Sequence, residues 1–245
     1  SSNSNDQTGL TIYSSSNLLR KINAISNDGT GISFSTSSFN NISDITSTSN
    51  QNYGISMTIS GYNNIYNLTS TYNTGDGLSI SNVGSNYISN FTIASNSRGI
   101  NLGTSTSNTF VMGRINNSAH NAIYISGMST NNTFSNISIV NTSLAFNDIY
   151  FDTFFGISPN GTQLIDVTGI KNYTFNGAGN TITVKKTGLA EIKFINAING
   201  TGRNFSYDIQ LGNNSVYVNS SQTGLNKGAN VTLYNLPINY LNVTQ

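Results

Sequence analysis

The chain has 245 residues, of which only 8% are charged, and its formal net charge is +1. So sparse and balanced a charge excludes the electrostatic footprint of a nucleic-acid-binding protein, and no apolar run approaches the roughly 20 residues that cross a bilayer. Asn, Ser and Thr together supply 106 residues and Cys is absent, which disfavours helix and excludes a disulfide framework. A hydrophobic content of 36%, much of it Ile, Leu and Phe at regular spacing, argues against disorder. All-β remains.

Residues 1–8 form a polar lead-in. No basic segment followed by an apolar one opens the chain, so the expectation is a leader removed or never included. From Gly9 a four-residue pattern, Gly-Leu-Thr-Ile, returns at Gly31, Gly54, Gly77 and Gly99, then in weaker form at Ala122 and Asp148. Its apolar positions are Leu10, Ile32, Ile55, Leu78, Ile100, Ile123 and Ile149, and, two residues on, Ile12, Phe34, Met57, Ile80, Leu102, Ile125 and Phe151. A second marker keeps the same period: Asn17, Asn40, Asn63, Asn86, Asn108 and Asn132, each followed two residues later by Leu, Ile or Phe. Five residues after each Asn stands another apolar residue, with Gly113 the exception.

A period of 22–23 residues with short alternating strands is one turn of a solenoid whose turns stack about 4.8 Å apart. The fold class predicted is an all-β, right-handed parallel β-helix of about seven coils over 9–155. The asparagines suit its turns, because Asn accepts left-handed backbone and its amide can bond the next coil; Asn27, Asn50, Asn73 and Asn96 predict a further ladder. Units such as Gly31–Asn50 and Gly77–Asn96 resemble the β-helix repeats of the NosD-like, carbohydrate-binding-and-hydrolase class, in particular Asn/Ser/Thr-rich versions from archaeal surface proteins. That resemblance implies the fold and leaves activity open, since one scaffold hosts many functions. Beyond Asp152 the period breaks, and 156–245 reads as irregular β continuation or a β-sandwich cap.

Enzymes of this scaffold place ionisable groups on outward columns of adjacent coils. Here those columns read Thr11, Ser33, Ser56, Ser79, Asn101, Tyr124, Tyr150 and Asn23, Thr46, Thr69, Thr92, Arg114, Ser138, almost devoid of acid or base. The richest candidate group is Asp76, Arg98 and His120, one coil apart near the repeat glycines: a base, an anion stabiliser and an acid if catalytic, a surface ion pair beside a turn histidine if not. Lys21 and Asp44 predict another surface ion pair, and Asp152 is expected to face into or beside the core. The copper binding of NosD relatives does not carry over, because His120, Met57, Met112 and Met128 fall on different columns. No cofactor and no metal are expected.

Two softer signals remain. Exposed Tyr62, Tyr66 and Tyr72 are candidates for stacking on sugar rings. Fifteen Asn-x-Ser/Thr sequons run from Asn41 to Asn242, and Asn67, Asn90 and Asn136 share one turn column where glycans would project into solvent. The function expected is a non-catalytic extracellular or cell-surface module, serving as coat, stalk or adhesive recognition element with surface glycans or surface proteins as partners. The alternatives are a polysaccharide-acting enzyme of lyase, hydrolase or epimerase type, and a viral fibre or spike.

Overall fold

The computed structural model describes residues 1–236; the sequon at Asn242 lies outside them. The glycine-led segments form short parallel strands, among them Ile32–Ser35, Ile55–Thr58, Leu78–Ser81, Ile100–Gly103, Ile123–Ser126 and Ile149–Asp152. Each pairs in register with its counterpart one coil on, Ile55 opposite Leu78 and Ile80 opposite Leu102. The second marker builds eight-residue strands, such as Asn41–Thr48, Asn64–Thr71 and Tyr87–Ala94, in another parallel sheet. The result is a β-solenoid of about eight coils.

Each long strand bends at one residue in left-handed backbone: Lys21, Asp44, Asn67, Asn90, Met112 and Asn136, with φ from +52° to +58°. The bend accounts for apolar residues spaced three apart, as in Ile42 and Ile45. Strict alternation would turn the second outward; one left-handed residue returns it to the core. Ile32, Phe34, Ile55, Met57, Leu78, Ile80, Ile100, Leu102, Ile123, Ile125, Ile149 and Phe151 are all 0% exposed, and burial of each contributes roughly 1.5–3 kcal/mol. Gly113 breaks its column because the Phe91 ring fills the space: a Cβ there would lie 2.0 Å from a Phe91 ring carbon.

Polar ladders run through the interior beside these columns. Asn40 donates to Asn63 Oδ1 through both its backbone N–H and its Nδ2, each at 2.9 Å. Asn50 does the same to Asn73, at 3.0 and 2.8 Å. One oxygen thus accepts two bonds from the coil before it, and burial of the amide is compensated.

Parallel stacking continues past residue 155. Thr162–Ile165 and Ile182–Lys186 extend the long-strand sheet, and Tyr173–Asn180 extends the short-strand one. After Lys186 the pairing turns antiparallel: Ala190–Phe194 lies on Ile182–Lys186, and Ala229–Leu233 on Ala190–Phe194. A hairpin, Ile209–Gly212 with Ser215–Val218, and one helical turn, Phe205–Asp208, complete this cap. It is tied to the coils by buried Tyr173, whose hydroxyl donates to Asp208 Oδ2 at 2.8 Å. At the opposite end Ser2–Asn3, inside the polar lead-in, pairs with Ala24 and Ile25.

Candidate functional site

The ladder that sets Leu78 opposite Ile100 brings the residues two places earlier, Asp76 and Arg98, side by side. Arg98 Nε donates to Asp76 Oδ1 at 2.9 Å, and Asn101 Nδ2 donates to Asp76 Oδ2 at 2.7 Å. Asp76 is only 1% exposed. The expected surface ion pair is therefore half interior: a buried carboxylate anchors a guanidinium whose side chain is 32% exposed. His120 does not join them. Ile100 pairs with Ile123, so the coil is 23 residues long and Asn121, not His120, takes the Arg98 column. His120 instead sits by Ser97, its Nδ1 2.9 Å from Ser97 Oγ, and meets the Phe146 ring edge-on at 4.4 Å.

What does join Arg98 is the outer face of the short-strand sheet. The guanidinium lies 4.7 Å over the Tyr124 ring, and Tyr124 stacks on Tyr150 at 5.6 Å with the planes 4° apart. The Tyr124 hydroxyl donates to Asp152 Oδ2 at 2.7 Å, and Asn176 Nδ2 donates to Asp152 Oδ1 at 3.1 Å. Asp152 thus faces outward, a correction to its expected place in or beside the core. The signal was present: in Ile149-Tyr150-Phe151-Asp152 the aspartate alternates onto the face of Tyr150.

Burial, then the bond to Asp152, pushes the Tyr124 pKa up to about 12, so the phenol keeps its proton at neutral pH. Both oxygens of Asp76 and both of Asp152 are engaged. The terminal guanidinium nitrogens of Arg98, by contrast, have no acceptor among the described residues. The arrangement presents one fixed, planar cation, backed by a buried carboxylate and flanked by phenols and amides.

The other predicted residues are scattered. Tyr62 stacks on Phe39 at 5.1 Å, Tyr66 tilts against Tyr87 at 5.9 Å, and Tyr72 stands exposed in the corner before Asn73. Tyr66 lies within the strand Asn64–Thr71, Tyr62 before it and Tyr72 after it, and they do not share a site. Asn67, Asn90 and Asn136 are exposed at the bend column; Asn90 Nδ2 donates to Asn67 Oδ1 at 2.7 Å, and Asn67 Nδ2 to Asp44 Oδ1 at 2.8 Å. The bond from Asn67 is the main cause of the lowered Asp44 pKa. Among the described residues the side-chain ion pairs are Arg98–Asp76 and Lys185–Glu191, so the expected Lys21–Asp44 pair does not form.

The geometry is that of a polar solenoid whose short-strand sheet carries an anchored guanidinium on its outer face. The sequence matches the family described as the right handed beta helix region over residues 2–139, more than half the chain, and the protein belongs to that family. Among solved structures, the periplasmic alginate epimerase AlgG is 15% identical with a TM-score of 0.52, over 73% of this chain and 50% of that one. The A-module of the Azotobacter vinelandii mannuronan C-5 epimerase AlgE4 is 12% identical with a TM-score of 0.51, over 75% of this chain and 51% of that one. ORF18 of Geobacillus virus E2 is 13% identical with a TM-score of 0.51, over 98% of this chain and 65% of that one. At these identities the likeness is one of fold. The chain spans about half the length of the two epimerases. None of the curated proteins compared matches the sequence significantly.

Proposed function

We propose that this protein is an extracellular or cell-surface recognition solenoid that binds an acidic polysaccharide on the outer face of its short-strand sheet, without turning it over. The observation that carries the reading is Arg98. A guanidinium held at Nε by a buried carboxylate, with its terminal nitrogens free, is organised in advance to grip a carboxylate through two parallel bonds. Little side-chain entropy remains to be lost on binding. Asn101 stands beside it, and Asn176 two coils beyond Tyr124 on the same face, with amide groups suited to sugar hydroxyls. Two of the similar structures are epimerases of alginate and mannuronan, polymers of carboxylate-bearing sugars, which supports that ligand class. One is periplasmic and another viral, in keeping with work outside the cytoplasm. The engagement of each carboxylate oxygen of the cluster and the protonated phenol support binding without turnover.

The test is a glycan array carrying alginate and pectate fragments beside neutral glycans, probed with the protein and its Arg98→Ala variant. Acidic fragments should bind the protein and bind the variant at least about tenfold more weakly, as expected for loss of a charge-assisted pair. Equal retention of both proteins, or silence toward every acidic glycan, would overturn the reading. Altered product in the bound fragments would establish the enzymatic alternative. A second reading, a viral or surface fibre, draws on the fold likeness to the viral protein along 98% of this chain; sedimentation as a trimer would favour it.

A further inference from the structure

One corner of the solenoid carries a ladder that stops short. The register that sets Asn41 opposite Asn64, and Asn64 opposite Tyr87, places Phe39, Tyr62 and Ser85 in one column on three successive coils. All three have left-handed backbone, with φ of +59°, +57° and +60°. Phe39 and Tyr62 stack face to face, 7° from parallel, yet are 61% and 58% exposed. The next coil supplies only a hydroxymethyl group where a third ring would stand. A groove of about 350 Å³ opens at this point, lined by Ile59, Tyr62, Asn82, Gly84, Ser85 and Thr106; Phe39, which takes the other face of Tyr62, is not part of its wall.

The corner is also costly to build. Ile59 sits at φ +51° and is 60% exposed, although a β-branched side chain disfavours left-handed backbone. No charged group lines the groove. It offers one free aromatic face and a rim of hydroxyl, amide and backbone groups.

We propose that the unfilled rung beyond Tyr62 is a second carbohydrate site, which takes the pyranose ring of a neutral glycan. A pyranose presents a face of C–H groups that suits the negative face of an aromatic ring. Its edge of hydroxyls matches Asn82, Ser85 and Thr106 as donors and acceptors. The site is independent of Arg98, which lies before the short strands, whereas this corner follows them.

The test uses two variants of opposite kind. Tyr62→Ala removes the platform; Ser85→Tyr fills the rung with a ring that Phe39 and Tyr62 show this backbone accepts, so the fold and its unfolding midpoint should be retained. Calorimetric titration with cellohexaose, maltohexaose and mannohexaose should give saturable binding of at least one to the unaltered protein and to Arg98→Ala. Binding should be roughly tenfold weaker or more in Tyr62→Ala and abolished in Ser85→Tyr. Binding by folded Ser85→Tyr equal to that of the unaltered protein, joint loss in Arg98→Ala, or no saturation by any of the three at millimolar concentration would overturn the proposal. Failure here leaves the acidic-glycan reading standing, because that reading depends on Arg98 alone.

Discussion

The regular coils and the C-terminal cap are held together by different means. In the coils the partner of each side chain is the same position one turn on: Asn50 bonds Asn73 and Ile55 meets Leu78. In the cap the partners are unlike and distant, as where Tyr173 reaches Asp208, 35 residues away. Repetition spreads stability along the axis as a sum of similar interfaces. The cap concentrates it in contacts that have no duplicate.

The hardest blow to the coils should be Ile55→Asp, which places an unpaired charge at a position that is 0% exposed. We expect a loss above about 4 kcal/mol, enough to unfold neighbouring coils in a circular-dichroism melt; an unchanged midpoint would contradict the register itself. Asn63→Ala ranks second. It strips the acceptor from two donors of Asn40 and one donor from Asn86, and urea denaturation should register about 2–3 kcal/mol. A loss no larger than that of a surface substitution would mean that the ladders decorate the coils without holding them.

Tyr173→Phe is the mildest and the most local. It leaves Asp208 short of a donor, at a cost of about 1–2 kcal/mol, and hydrogen exchange should quicken in the cap while the coils stay protected. Its pH dependence sharpens the contrast. Burial and the bond to Asp208 raise the Tyr173 pKa above its ordinary 10.0. The folded state keeps a proton there that the unfolded chain releases, so this stabilisation is intact below pH 10 and is lost as the pH climbs further. Tyr173→Phe should flatten the alkaline decline in the cap. In the coils Tyr124, whose pKa is raised to about 12, should add an alkaline decline of its own.

The coils were legible because the same contact recurs. A column of Ile55, Leu78 and Ile100 announces its own neighbours, and the Asn ladders could be paired from spacing alone. Reading erred where one residue mattered. His120 follows Arg98 by 22 positions in a coil of 23, and that single step separates the two. Asp152 was misread because its place in the alternation was not counted from Tyr150. The cluster around Arg98 escaped because its columns look neutral one position at a time; only the stacking of Arg98 on Tyr124 on Tyr150 makes a site of them. Nothing in the cap repeats, so its antiparallel register and the Tyr173–Asp208 contact follow from packing that no local pattern announces.

The interchangeable coil has a consequence for length. Because Asn40, Asn63 and Asn86 offer the same bonds above and below, removing or duplicating a 23-residue unit would leave the flanking coils matched to each other. Each such edit would move the cap by about 4.8 Å relative to the first coil. The fold is in this sense a ruler, on which the distance between whatever each end touches can be reset in fixed increments while the chemistry of both ends stays as it was.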